Sequence, residues 1–182
     1  MGELERIVRA TPWLMDLLRA ARTVDPPDWL IGSGAVRTAV WDHLHGHPPP
    51  PRLRDVDLAF FDPDDLTPER ERAVQRALTA VHPGVEWDAR NQAAVHLWYG
   101  REVEPLTSTA DGVATWPETA SAVALRLTHA DELEIVAPCG LEDLLGLVHR
   151  RNPRRVTVEE YERRLREKRI AERWPRVKIV SG

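Results

Sequence analysis

The sequence has a single cysteine, Cys139, among 182 residues. One thiol excludes an internal disulfide framework and any zinc site built from cysteines. Long apolar runs are missing as well, since no stretch approaches the roughly 20 residues that a membrane-spanning helix needs. The segment from Met1 to Glu5 lacks the basic and apolar regions of a secretion signal and does not fit a myristoylation pattern. We therefore expect a soluble, cytoplasmic protein with no membrane partner.

The chain as a whole lacks a large net charge, but individual segments of it are strongly charged. The net charge is -4, yet residues 150–182 hold 12 Lys and Arg against 5 Glu, and five Asp lie between Asp55 and Asp65. With 42% hydrophobic and 30% charged residues, the composition is that of a globular protein. The length predicts one domain over 1–182 with a basic helical segment at 150–182. The crowded acidic segment needs either solvent or a cation.

Helical and strand patterns alternate along the chain. Apolar residues three or four apart, bounded by Pro, Gly and cap residues, predict helices near 4–8, 12–24, 34–46, 67–81, 91–99, 141–149 and 158–173. Period-two patterns and short apolar runs predict strands at 29–31, 55–61 and 85–90 and a hairpin of 123–127 with 133–137. We expect an α/β (α+β) fold with a mixed central sheet covered by helices, because the hairpin excludes an all-parallel sheet.

The turn Gly32-Ser33-Gly34 joins the first predicted strand to a helix. Glycines allow backbone N–H groups to approach an anion, the helix start adds its positive dipole, and Ser33 adds a hydroxyl. Arg37, one helical turn further on, would be able to reach a phosphate. The plainer alternatives are a tight turn without a ligand and an arginine exposed to solvent.

Acidic residues repeat at a spacing of two on two later strands. Alternation places Asp55 and Asp57 on one face of their strand, with Val56 and Leu58 facing the core. Like charges so close repel each other, and a divalent cation relieves that repulsion. The alternative is a pair of solvated surface acids.

The strand after this one carries a second acidic pair, Glu86 and Asp88. Either residue would supply the third carboxylate that a two-cation site requires. Asn91 follows, either to contact a base or ribose or simply to cap the next helix. Trp98 and Trp116 are candidates for stacking on a base.

The combination resembles the nucleotidyltransferase superfamily of the DNA polymerase beta type. Over residues 13–175 the chain is more closely similar to a bacterial nucleotidyltransferase-like family of unknown function. The resemblance is carried by Trp29-Leu30-Ile31-Gly32-Ser33-Gly34-Ala35-Val36-Arg37, Val40-Trp41-Asp42, Leu44-His45-Gly46, Asp55-Val56-Asp57, Asn91-Gln92, His96, Trp116-Pro117-Glu118-Thr119-Ala120 and Ala137-Pro138-Cys139-Gly140-Leu141-Glu142-Asp143-Leu144. It implies a fold like the polymerase beta palm.

The resemblance also implies a reaction, in which an acceptor hydroxyl attacks the α-phosphorus of a nucleoside triphosphate such as ATP and pyrophosphate leaves. Mg²⁺ or Mn²⁺ would be bound in a two-metal arrangement by Asp55, Asp57 and Asp88, with Glu86 as a substitute for the third acid. The nucleotide would be bound by Gly32, Ser33, Gly34, Arg37 and Asn91. The acceptor stays open among RNA, protein and small molecules. The third acid is the weakest match, so the alternative function is a catalytically inactive nucleotide- or RNA-binding module of the same fold.

Three other classes of protein compete with this interpretation. A dinucleotide-binding enzyme needs a third glycine where Arg37 stands and a longer apolar first strand than Asp28 permits. A serine hydrolase needs a G-x-S-x-G turn that Ser33 does not have. A non-catalytic binding module would use the basic C-terminal segment, although five Glu interleave with its Arg and Lys.

Overall fold

The computed structural model describes residues 2–49, 53–99, 103–154 and 156–180. A five-stranded mixed sheet lies at its centre, in the order β3-β2-β1-β4-β5. The strands are β1 (Leu30–Gly32), β2 (Val56–Phe60), β3 (Trp87–Asn91), β4 (Ala124–Leu127) and β5 (Leu133–Val136). β2 and β3 are parallel, whereas β1 pairs antiparallel with both β2 and β4, and β4 forms an antiparallel hairpin with β5. The mixed sheet and the hairpin are as the sequence predicts.

Helices cover this sheet. They are α1 (Glu3–Arg9), α2 (Pro12–Val24), α3 (Gly34–His45), α4 (Pro68–Val81), α5 (Val95–Tyr99), α6 (Thr109–Val113), α7 (Glu142–Leu145), α8 (Val158–Lys168) and α9 (Ile170–Arg173). Prolines at the first position start α2 and α4, and Gly46 in a left-handed conformation ends α3. None of the helices described is long and apolar enough to cross a membrane.

The alternation in β2 and β3 separates core from cleft. Val56, Leu58 and Phe60 are fully buried, as are Trp87 and Ala89 on β3. Burial of these side chains is what fixes the register, because a shift by one residue would bring the acids into the core. The intervening acids therefore face away from the core on both strands.

Two predicted helices near the C-terminus are wrong in extent. The helix expected at 141–149 ends at Leu145, because Leu147 adopts a positive φ of 55° and the chain continues as β6 (Val148–Arg150). The helix expected at 158–173 is broken at Arg169, where φ is 50°. A further strand, β7 (Lys178–Val180), pairs in parallel with β6 and has no clear signal in the sequence.

The basic C-terminal segment packs onto the rest of the fold. Trp174 is buried, its indole N–H donates to Asp42 at 2.7 Å, and its ring meets Trp41 edge-on at 5.2 Å. Tyr161 of α8 is buried as well, and its hydroxyl donates to the His149 carbonyl at 2.7 Å. The described residues of segment 150–182 are thus anchored to α3 through Trp174 and to β6 through Tyr161.

Candidate active site

The strand register brings the turn and the acids together. Leu30 lies opposite Ala59 and Ile31 opposite Leu58, so continuing this register places Gly32 beside Asp57. On the other side of β2, Asp57 lies opposite Asp88 of β3. Residues far apart in sequence therefore meet at the adjoining ends of three strands.

Asp55 and Asp57 both line a cleft of about 560 Å³. Asp55 immediately precedes β2, which begins one residue later than the strand predicted at 55–61. Burial and the neighbouring charges of Asp55 and Asp88 raise the pKa of Asp57, while a hydrogen bond with the Ser33 side chain acts in the opposite direction. The negative charge of Asp57 is thus unfavourable in the absence of a cation.

The third carboxylate of the cleft is Asp88. Glu86 lies outside the cleft lining, against a second cavity. The Asp88 carboxylate accepts from Arg90, with Nε and Oδ1 2.6 Å apart. Within the described ranges, no group of three or more His, Cys, Asp or Glu is arranged to hold a metal ion. The carboxylates therefore line one cleft without enclosing a common point.

The turn before α3 differs in detail from the expectation. The residue with a positive φ is Ser33, at φ 53° and ψ -122°, a region that side chains other than glycine rarely occupy. Gly32 is needed because a Cβ there would lie 2.5 Å from the Trp116 ring and 2.7 Å from the Val123 carbonyl oxygen. Gly34 has open space around its Cα. Strain at Ser33 keeps its hydroxyl beside Asp57, as strained backbone does at functional sites.

We expect Ser33→Gly to stabilise the fold and weaken the site. Glycine adopts this backbone conformation freely, so unfolding should cost about 1 kcal/mol more, whereas the lost hydroxyl should lower nucleotide affinity by about tenfold. Urea unfolding and nucleotide titration measure the two effects separately. A variant that loses stability but keeps its affinity would assign Ser33 to the fold alone.

Three cations that line the same cleft surround a carboxylate that is fully buried. Glu118 accepts from Arg164 at 2.7 Å and lies 3.7 Å from Lys168 Nζ and 3.8 Å from Arg37 Nη1. Burial alone raises the pKa of Glu118, but the charges of Lys168, Arg164 and Arg37 outweigh it and lower the pKa to about 2. We call Arg37, Arg164 and Lys168 the cationic wall.

Arg37 is held firmly within this wall. Its residue is 5% exposed, so it is not an arginine exposed to solvent. The guanidinium donates to the Ser121 hydroxyl at 2.8 Å and lies 5.5 Å and 5.6 Å from the ring centroids of Trp41 and Trp174. Arg37 lines the cleft. Because its side chain is held in place, it contributes positive charge to the cleft rather than a group that extends toward a phosphate.

Asn91 caps the next helical turn, and the assignment to nucleotide binding does not fit. Its side chain accepts from the Asp62 and Ala93 backbone N–H groups and donates to the carbonyls of Asp62 and Asp65. The residue is completely buried and outside the cleft lining. Gln92 lines the cleft instead.

The two tryptophans considered for base stacking occupy different places. Trp116 lines the cleft next to Gly32. Trp98 is 51% exposed and packs under the Arg90 guanidinium, 5.6 Å from its ring centroid. Of these two tryptophans, Trp116 is the one that lies in the cleft, where it could stack on a base.

The sequence of the chain, which carries this turn, these carboxylates and these cations, was compared with known families. The sequence profile of a family described as Nucleotidyltransferase matches residues 19–179. The chain belongs to this nucleotidyltransferase family. A comparison with curated protein sequences found no significant match.

Solved structures similar to this chain confirm the predicted fold. One, described as "The NMR structure of the protein reveals a CCA-adding enzyme head domain", is 29% identical, with a TM-score of 0.84, covering 99% of this chain and 95% of that one. A complex of a CCA-adding enzyme with CTP is 17% identical with a TM-score of 0.60, covering 98% of this chain and 43% of that one. A Thermotoga maritima CCA-adding enzyme complexed with tRNA is 16% identical with a TM-score of 0.55, covering 98% and 42%. The nucleotidyltransferase thus spans less than half the length of those two chains.

Glu118 and the orientation of α8 are the parts of the site that sequence reasoning missed. Glu118 stands in the block Trp116 to Ala120 that carries the resemblance, but nothing near it in sequence explains a buried acid. Arg164 and Lys168 are four residues apart, so they share one face of α8. That spacing is a signal that the sequence does offer.

Proposed function

We propose that this nucleotidyltransferase transfers a nucleoside monophosphate from a nucleoside triphosphate to an acceptor hydroxyl, releasing pyrophosphate. One observation carries the proposal: Asp57 and Asp88 lie opposite each other on adjacent strands, with Asp55 two residues before Asp57 and Ser33 hydrogen-bonded to it. A single cleft thus contains acids that suit a divalent cation, and a turn and positively charged side chains that suit phosphates. Its volume of about 560 Å³ lies in the range of small-molecule sites.

The donor set fits a hard divalent cation. Asp55, Asp57 and Asp88 offer carboxylate oxygens, which Mg²⁺ and Mn²⁺ prefer. The raised pKa of Asp57, which comes from its burial and its acidic neighbours, indicates a charge that lacks compensation. When bound, the cation supplies charge neutralisation and lowers the pKa of an attacking hydroxyl. In this proposal Asp88 exchanges its partner Arg90 for the cation.

The protein's own groups hold the nucleotide in place. Ser33 and the N–H groups at the start of α3 bind phosphate oxygens, as helix starts commonly do. Trp116 gives the base a surface on which to stack. Asp57 remains ionised beside the attacking hydroxyl. The site holds that hydroxyl and the α-phosphate of the nucleotide together, so the reaction does not depend on a chance encounter of the two.

The acceptor is proposed from the similar structures. Those structures include CCA-adding enzymes in complex with CTP and with tRNA. RNA is therefore the first acceptor to test, with CTP and ATP as donors, followed by protein and small molecules. Transfer of label from an α-³²P-nucleotide to fractions of a cell extract separates these classes.

We expect a nucleoside triphosphate to raise the thermal stability only when Mg²⁺ or Mn²⁺ is present. Without a cation the acids repel the phosphates, whereas at a hundredfold excess over Kd a bound ligand adds about 2.7 kcal/mol. A thermal melt with and without chelator measures this, with NAD as a negative control. Equal stabilisation in chelator would contradict the carboxylate site, and a shift with NAD alone would favour a dinucleotide site.

A second candidate function is nucleotide binding without transfer. One observation favours it, namely that Arg90 neutralises the Asp88 carboxylate at 2.6 Å. Such a protein binds the nucleoside triphosphate together with the metal ion. It releases no pyrophosphate from that triphosphate, whichever acceptor is added. Pyrophosphate release therefore decides between the two candidates.

A further inference from the structure

The cleft is lined by groups of both charges. The acids Asp55, Asp57 and Asp88 and the cationic wall of Arg37, Arg164 and Lys168 line it together, and a further acid in the lining, Glu167, is paired with Arg163 outside the lining. Glu118 supplies one negative charge to the three cations of the wall. The wall therefore holds an excess of positive charge that this carboxylate cannot balance.

Only part of the wall is accessible. The side chain of Glu118 is 0% exposed and that of Arg37 is 6% exposed, whereas Arg164 and Lys168 retain 29% and 31%. Arg37 and the carboxylate of Glu118 are thus buried beneath the accessible part of the wall. Arg164 and Lys168 present their charges to the cleft.

Hydrogen bonding within the wall is incomplete. Among the described residues, Arg37 Nε and Glu118 Oε2 are buried side-chain atoms that have no hydrogen-bond partner. Lys168 approaches Glu118 only to 3.7 Å, which is an ion pair but too long for a hydrogen bond. Glu118 Oε2 is an acceptor and therefore does not itself bind an anion. Within the part of the chain that the structure describes, the Glu118 carboxylate takes a hydrogen bond only from Nε of Arg164 and none from Lys168, so the remaining donors of these two cations are available to an anionic ligand.

Lys168 and Asp57 sense each other across the cleft. Burial lowers the pKa of Lys168 to about 8, and the charges of Glu118 and Asp57 oppose that change while Arg37 and Arg164 reinforce it. Lys168 and Asp57 also line the same cleft, so one molecule bound there contacts both the wall and the acids.

We propose that Arg164 and Lys168, held by Glu118, bind the polyphosphate end of the nucleotide whose α-phosphate lies at the acids. This assignment rests on the proposed function and adds the C-terminal helix α8 to the nucleotide site. A triphosphate supplies several anionic oxygens in a row, which matches an excess of cations on one wall. An RNA backbone would also follow the exposed cations along α8, but Arg163 there is paired with Glu167, so we assign the charge inside the cleft to the triphosphate.

Lys168→Gln tests the assignment, with Arg166→Gln as the matched control. Arg166 lies on the same helix, exposed and outside the cleft lining. Calorimetric titration with Mg²⁺ measures the Kd of CTP, CMP and inorganic tripolyphosphate for each purified variant. We expect Lys168→Gln to weaken CTP and tripolyphosphate binding by about tenfold and to leave CMP binding within about twofold.

Conservative replacement separates charge from shape. Lys168→Arg keeps the positive charge and should restore most of the affinity for CTP. Arg166→Gln should bind all three ligands as the parent protein does. In a transfer assay, Lys168→Gln should raise KM more than it lowers kcat, because the polyphosphate is bound in the ground state as well.

Three outcomes would overturn the assignment. Unchanged CTP affinity in Lys168→Gln would do so, as would an equal loss of CTP and CMP affinity. Weakened RNA binding with normal CTP binding would reassign the wall to the acceptor. Failure of the proposed function looks different, since the parent protein would then bind no triphosphate with Mg²⁺ and Asp57→Asn would change nothing.

Discussion

Asp57→Asn should abolish nucleotidyl transfer while leaving the fold intact. Loss of one carboxylate from the cleft removes a cation ligand and the charge compensation of the transition state, for which we expect a decrease in rate on the order of a thousandfold. The metal-dependent stabilisation by nucleoside triphosphate should be lost as well. We expect the loss of transfer and the loss of this stabilisation because an amide is a poor ligand for a hard divalent cation.

The stability of Asp57→Asn should be unchanged or slightly higher than that of the parent. The pKa of Asp57 is raised by burial and by Asp55 and Asp88, so the folded state binds a proton more readily than the unfolded state does. Its charge therefore opposes folding at neutral pH, and this cost falls as the pH decreases through the raised pKa. The amide has no such charge at any pH.

Asp64→Asn is the matched control for this measurement. Asp64 belongs to the same acid-rich segment but is exposed and outside the cleft lining, so transfer, metal dependence and unfolding should all match the parent. If Asp57→Asn instead unfolds the protein while the folded fraction still binds metal and nucleotide normally, Asp57 is structural and the site assignment fails.

Local patterns in the sequence predict the part of the site formed by β1, β2 and β3. Period-two alternation places Asp55 and Asp57 on one face, and the buried Val56 and Leu58 confirm that face. The turn at Ser33 follows from glycines between a strand and a helix. Each of these features is local, so each can be predicted from a short stretch of sequence by itself.

Long-range packing decides the parts that could not be predicted. Arg37 sits on a helix position that would normally be exposed, and only the packing of Trp41 and Trp174 around it explains its burial. Glu118 meets Arg164 across 46 residues, which no periodicity records. The helix break at Arg169 and the end of the helix before Leu147 coincide with positive φ values, which residues other than glycine rarely adopt and which a helical pattern in the sequence does not signal.

Glu118→Gln should be the most destabilising single change in the site. Removing the buried carboxylate leaves Arg37, Arg164 and Lys168 without their common partner, and breaking a buried ion pair on one side costs about 3–5 kcal/mol. Urea unfolding at pH 7 measures this loss. The double variant Glu118→Gln with Lys168→Gln should lose less than the sum of the two single changes, because it removes a cation along with the anion.

Acid gives an independent measurement of the same group. Although burial opposes it, the cations lower the pKa of Glu118 from the usual 4.5 to about 2, so its contribution is complete above pH 4.5 and is lost as the pH falls toward 2. His149, whose pKa burial lowers to about 4, adds a separate loss that begins below pH 6.5. In Glu118→Gln the loss due to His149 should remain, whereas the part of the loss below pH 4.5 that comes from Glu118 should disappear. A parent and variant that lose stability in parallel below pH 4.5, or a cost under about 1 kcal/mol at pH 7, would show that Glu118 does not hold the cationic wall together.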